Sequence, residues 1–174
     1  MQRVGSIAKE PREEHKLELA TSVLRSGGRI RIKALGTSML PSIWPGDILL
    51  IESTLTDEFT HGDVVLVKRE KSILIHRLVN KNGPQWITRG DAMPQNDPPA
   101  SPADILGKVS EIRCGARVIT PKGPVPLLQR MLAWMLCHSQ ICRRVALHIH
   151  SVWRDRSAYQ TFAVPLDQSS SQAK

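Results

Sequence analysis

Gly36-Thr37-Ser38-Met39-Leu40-Pro41 is followed five positions later by Gly46-Asp47 and then by an apolar run, Ile48-Leu49-Leu50-Ile51. A serine between small residues, just ahead of Met and Pro, sits where the backbone bends sharply, and such a bend lifts a hydroxyl clear of any ladder. Alone, a serine in a glycine-containing turn is a turn residue. This one gains weight from what surrounds it.

Immediately upstream, Arg29-Ile30-Arg31-Ile32-Lys33-Ala34 alternates strictly, which reads as a half-buried strand running into the turn. Before that, Leu17, Leu19, Ala20, Val23 and Leu24 recur at helical spacing within residues 12–26, and Gly27-Gly28 closes the helix. Residues 1–11 read as a polar, disordered tip. Downstream, strands are expected at residues 47–51, 63–68 and 72–79, then at 85–88 beyond an Asn82-Gly83 turn. Residues 106–119 read as one or two more, broken around Cys114-Gly115. Residues 91–102, rich in Pro, Asn and Asp, read as an irregular loop. Short strands punctuated by Gly-Asp and Asn-Gly turns predict a mainly β, mostly antiparallel fold.

Residues 121–126 form a Pro-rich boundary. Beyond it, apolar residues from Leu127 to Trp153 keep i, i+3, i+4, i+7 spacing, with Arg130, Arg143, Arg144 and Arg154 on the other side of the wheel. One long basic amphipathic helix, or two shorter ones, is expected. The organisation is therefore a tip and helix (residues 1–27), a β domain (28–120) and a helical appendage with a frayed tail (121–174).

The chain of 174 residues is long enough to bury a real core, and its net charge is +8. The charge is uneven: Lys122 to Arg156 holds six Lys/Arg and one acid, Asp155. Such a face favours anionic partners. Three cysteines without CxxC spacing argue against a disulfide framework or a zinc site and fit a reducing compartment. No metal or other cofactor is expected. The first 14 residues are charged and lack an apolar stretch, and the longest clean apolar run, residues 131–137, falls far short of the ~20 residues that span a bilayer. The expected location is cytoplasmic or peripherally membrane-associated, with lipid contact through residues 127–154 and no nucleic-acid partner.

Two further segments carry chemistry. His76 lies in Ile73-Leu74-Ile75-His76-Arg77-Leu78-Val79, and Asp91 and Asp97 lie in a loop beginning Arg89-Gly90-Asp91. A serine hydroxyl is a poor nucleophile until a base takes its proton, and a third group must orient that base. Histidine suits the task because imidazole, with an ordinary pKa of about 6.5, is mostly neutral at pH 7. A lysine base would need its pKa lowered by roughly three units, about 4 kcal/mol of desolvation. Spacing does not decide between a triad and a satisfied strand histidine beside two Asx turns.

The ordered set Gly36 to Pro41, Gly46-Asp47, His61-Gly62-Asp63-Val64-Val65, Ile75-His76-Arg77 and Arg89-Gly90-Asp91 with Asp97 resembles the motifs of type I signal peptidases over residues 29–109. His76 places the resemblance with the histidine-base branch. It implies a compact β domain, shared with the self-cleaving SOS repressors, working without a cofactor. It further implies Ser38 as nucleophile, His76 as general base and Asp97 as orienting carboxylate, with Asp91 as a supporting loop residue; the two aspartates are interchangeable at this level. Gly36, Thr37, Met39 and Pro41 form the substrate and oxyanion region. Signal peptidases usually carry a serine where this chain has Gly36, and glycine there is the repressor-type pattern. The anchor usual ahead of the β domain is not seen.

Three functions follow. The leading one is a serine endopeptidase cleaving a peptide or precursor after small residues. A non-catalytic peptide-binding scaffold is the second. The third is a self-cleaving regulator, disfavoured because no Ala-Gly dipeptide occurs and the 27 residues before the first strand are few for a helix-turn-helix domain.

Overall fold

Strict alternation in Arg29–Lys33 places Ile30 and Ile32 inward and the basic residues outward, and this strand (β1) forms one edge of a seven-stranded antiparallel sheet. The computed structural model describes residues 11–150, apart from residues 71, 82, 122, 124, 125, 140 and 143. Of the expected tip at residues 1–11, all but Pro11, which begins the first helix, lie outside the described residues, as do the tail beyond 150 and half of the Asn82-Gly83 turn. The remaining strands are β2 (Ile48–Glu52), β3 (Val64–Arg69), β4 (Ser72–Asn80), β5 (Ile87–Arg89), β6 (Ile105–Cys114) and β7 (Arg117–Ile119). Their order is β1-β2-β6-β3-β4-β5, with β7 paired to β6. The split between β6 and β7 falls at the Gly115 turn, where the sequence breaks. Trp86 was expected inside a strand; it instead forms a two-way bridge with Ala100, and β5 begins one residue later. That bridge ties the residue just before β5 to the far part of the irregular loop 91–102.

Alternation along β3 feeds two cores. Val64 and Leu66 join Leu24, Met39, Leu49, Ile51 and Val109 in one cluster, while Val65 and Val67 join Phe59, Leu78 and Trp86 in the other. A strand buried on both faces reads as a continuous apolar run. The helix α1 (Pro11–Arg25) contributes Leu24, fully buried. Its inward face is Leu17, Thr21 and Leu24; Leu19, expected inside, is 61% exposed because it sits off that stripe.

The two Gly-Asp motifs build the same turn twice. Trp44 N–H donates to Asp47 Oδ2 at 2.8 Å, and Thr60 N–H donates to Asp63 Oδ2 at 2.8 Å. In both, the glycine is in the left-handed region, φ 98° for Gly46 and 95° for Gly62, which an L side chain adopts only with strain. Each turn then clips a neighbouring strand end: Gly46 and Asp47 bond the backbone of Ala34, and Gly62 and Asp63 bond that of Leu78. The first clip lies four residues before Ser38; the second, two residues after His76. Both carboxylates are buried. Asp63 is neutralised by Lys108 Nζ at 2.8 Å. Asp47 instead lies against the Cys114 thiol, which burial, and then the Asp47 charge, push up to about 11.

The expected C-terminal helix forms as two pieces. The helix α2 (Leu127–His138) ends at Ser139, and a second helical stretch includes residues 141, 142 and 144–150. Ser139 both ends the first piece, its N–H bonding Met135 O, and starts the second, its hydroxyl accepting from Cys142 N–H at 3.2 Å. Both pieces pack against one cluster: Leu136 with Leu40 and Ala92, joined by Cys142, Ala146 and Leu147. Trp44 stacks on His150, ring centroids 4.5 Å apart. No helix among the described residues is long and apolar enough to cross a membrane.

Candidate active site

Ser38 is presented by the turn that follows β1. Its neighbours fix that turn from two sides, Met39 buried in the main core and Leu40 fully buried under Leu136. Leu40 N–H bonds Thr37 O and Ile43 N–H bonds Met39 O, and the Leu40–Pro41 peptide is cis. Ser38 itself is half-buried, and Gly36 is exposed. Of the residues assigned to the substrate region, Gly36 is exposed, Thr37 and Pro41 are half-buried like Ser38, and Met39 anchors the turn from beneath.

His76 comes from the middle of β4, opposite Val65 of β3, and is 6% exposed. Its Nε2 lies 3.0 Å from Ser38 Oγ. Its Nδ1 lies 2.6 Å from Asp97 Oδ2. An ionised carboxylate only accepts, so the proton on this imidazole belongs on Nδ1 and is donated to Asp97. Nε2 is then left as an acceptor aimed at the Ser38 hydroxyl. The same Asp97 Oδ2 also accepts from Thr88 Oγ1 at 2.6 Å, and Asp97 N–H bonds Thr88 O at 2.8 Å. Thr88, fully buried on β5 opposite Leu78, thus holds both the backbone and the carboxylate of Asp97.

Asp91 does not meet His76. Both its oxygens take the Arg77 guanidinium, Nε to Oδ1 and Nη2 to Oδ2 at 2.8 Å each, and Ser42 Oγ donates to Oδ2. Arg77 also donates to Gly62 O at 2.6 Å, reaching the second Gly-Asp turn. The side chains of this pair are 11% and 6% exposed, and a bidentate, fork-on-fork geometry is what makes such a buried pair tolerable. Of the two aspartates left open by spacing, the structure brings Asp97 to the histidine and gives Asp91 to Arg77.

Sequence reasoning passed over Arg77, Ser42, Thr88 and Gly90. Arg77 follows His76 directly, so strand alternation sends the two side chains to opposite faces. Gly90 matters by close approach. A Cβ there would lie 2.6 Å from Ser38 O and 3.0 Å from Ser38 Cβ, and Ala92 N–H bonds Ser38 O at 2.8 Å. Backbone cannot yield as a side chain does, so only glycine lets the aspartate loop lie against the serine turn. The signal available in sequence was the glycine directly before Asp91.

A hydroxyl, a neutral imidazole and a carboxylate in a hydrogen-bonded line are the parts needed to make serine nucleophilic. The family model described as Peptidase S24-like matches residues 2–110, the span that contains all three. The chain belongs to this family. No curated protein matches it. The matched span ends before the C-terminal helices.

Proposed function

We propose that this S24-like protein is a serine endopeptidase that cleaves a peptide or precursor protein through a Ser38–His76–Asp97 site. The observation that carries the reading is the unbroken line Ser38 Oγ to His76 Nε2 at 3.0 Å and His76 Nδ1 to Asp97 Oδ2 at 2.6 Å. Ser38 Oγ attacks the scissile carbonyl carbon while its proton passes to Nε2. Asp97 holds the Nδ1 proton and stabilises the imidazolium. The tetrahedral oxyanion is bound by backbone N–H groups of the Gly36–Ser38 segment, because no serine hydroxyl is available at position 36. As the C–N bond breaks, Nε2 returns its proton to the leaving amine. Water then enters by the same route, giving its proton to Nε2 and its oxygen to the acyl carbon, and Ser38 is regenerated.

The test is incubation of the protein with a peptide library rich in small residues, read by mass spectrometry beside the Ser38→Ala variant. Cleavage that depends on Ser38 supports the reading. Products that persist in the variant, or no products from either protein, refute it.

Membership of the S24-like family favours a second reading, cleavage of the chain itself. Incubated alone at neutral and alkaline pH, a self-cleaving chain yields fragments that the Ser38→Ala chain does not. Fragmentation at a rate independent of protein concentration would identify the intramolecular reaction; an intact chain removes this second reading.

A further inference from the structure

Exposed apolar side chains are concentrated at one place on the molecule. Of 14 exposed large apolar residues among those described, eight fall between Leu128 and Ile149. In α2, Leu128, Met131 and Met135 follow helical spacing, and in the second stretch Ile141, Val145 and Ile149 recur every fourth residue. Each piece already spends its other side on the cluster with Leu40 and Ala92, through Leu136 in the first and Ala146 and Leu147 in the second. The stripes therefore face away from the β domain. Isolated exposed apolar residues are ordinary, but a contiguous set marks an interaction surface.

Charge says what kind of surface it meets. From residue 127 to residue 150 the sequence contains three arginines, at 130, 143 and 144, and neither Asp nor Glu. Arg144 is exposed beside Val145. A second copy of the chain would set the exposed Arg144 against a like segment that, from residue 127 to 150, holds no acid to meet it. Residues 151–174 offer two acids against three basic residues, which does not complement the face either. An anionic lipid surface answers both features, taking the apolar stripes into the headgroup boundary and the exposed Arg144 at its charged plane.

We propose that the two C-terminal helical pieces seat this protein on anionic membrane surfaces as a peripheral, non-spanning platform. The inference rests on the outer faces of the helices and not on the peptidase reading. It does have a consequence for the site. The platform grips Leu40 and Ala92, neighbours of Ser38 and Asp91. Helix α2 also forms one wall, with Trp134 and His138, of a cavity of about 560 Å³ whose other wall includes Asp91 and Met93. Seating the helices on lipid therefore holds the aspartate loop a single layer of helix, about 10 Å thick, away from the membrane surface.

The experiment is vesicle flotation of the full chain carrying Ser38→Ala, which keeps lipid binding separate from catalysis. Phosphatidylcholine vesicles are compared with the same vesicles containing phosphatidylglycerol, at low and raised salt, with sedimentation in parallel. The expected result is binding to the anionic vesicles, weakened by salt and reduced roughly fivefold by Arg144→Gln. Paired Ile141→Asp and Ile149→Asp, both outward-facing, should abolish flotation with an unchanged melting temperature. The proposal is overturned by absence of flotation or by flotation that the paired variant retains. A lipid-independent dimer dispersed by that same pair would overturn it equally, by showing that a second copy covers the face.

Discussion

The middle of β4 supports two polar networks built from the same three segments, and they differ in one decisive residue. The serine turn supplies Ser38 to one and Ser42 to the other, β4 supplies His76 and Arg77, and the following loop supplies Asp97 and Asp91. Each carboxylate accepts from a strand cation or base and from a hydroxyl, Thr88 for Asp97 and Ser42 for Asp91. A guanidinium has no acceptor and keeps its proton throughout the accessible pH range, so the Arg77 network can hold segments together but cannot move a proton. Imidazole in the adjacent position can do both. The lesson is a division of labour: one network fixes the three segments relative to each other, and the other uses the alignment so created.

The largest effects separate the networks by what they abolish. Ser38→Ala and His76→Ala should each lower cleavage at least about a thousandfold, with melting temperatures close to the parent. In the parent, kcat/KM should fall on acidification, because a protonated imidazole no longer accepts the Ser38 proton. A variant at either position that keeps substantial activity would dismantle the assignment.

Next come the two aspartates, which carry the same substitution to opposite ends. Asp97→Asn should cost roughly a hundredfold or more in kcat while leaving stability little changed, since Thr88 can still bond the amide. Asp91→Asn leaves the Arg77 charge buried without its counter-ion and should cost about 3 kcal/mol of stability, read by urea unfolding. At low temperature, where the variant stays folded, its pH–rate profile should keep the parent shape. If Asp91→Asn moves that profile and Asp97→Asn does not, the roles are exchanged.

How much of this was legible from the residues depends on whether the information was local. The β1 strand, the Ser38 turn and the β4 histidine could be read because alternation and turn chemistry act over a few neighbours. The order of the strands in the sheet could not, because β6 inserts between β2 and β3 through pairing with residues more than 35 positions away in sequence. The choice between Asp91 and Asp97 is a case of the same kind. Both sit in one loop, and what separates them is the Trp86–Ala100 bridge and the Asp97–Thr88 bond, which fold the loop back so that its far end, not its near end, reaches the histidine. Thr88 had a weak signal, a hydroxyl residue two positions ahead of Gly90-Asp91. The break at Ser139 had one too, a good N-cap residue in the middle of an apolar periodicity.

The smallest expected effect tests the comparison where the two networks are most alike. Thr88→Val and Ser42→Ala each delete the hydroxyl that donates to a carboxylate. On Asp97 the carboxylate then keeps, among the described residues, only the His76 bond from a side chain, and its orientation sets that of the imidazole. Thr88→Val should therefore lower kcat about tenfold, with KM and melting temperature changing little, since valine keeps the shape of a fully buried position. On Asp91 the Arg77 fork still supplies two bonds, so Ser42→Ala should cost about 1 kcal/mol of stability and leave kcat alone. The measurement is a pair of kcat values beside a pair of unfolding free energies. If both variants lose activity equally, the Arg77 network participates in alignment during turnover as well as in holding the fold, and the division of labour between the networks fails.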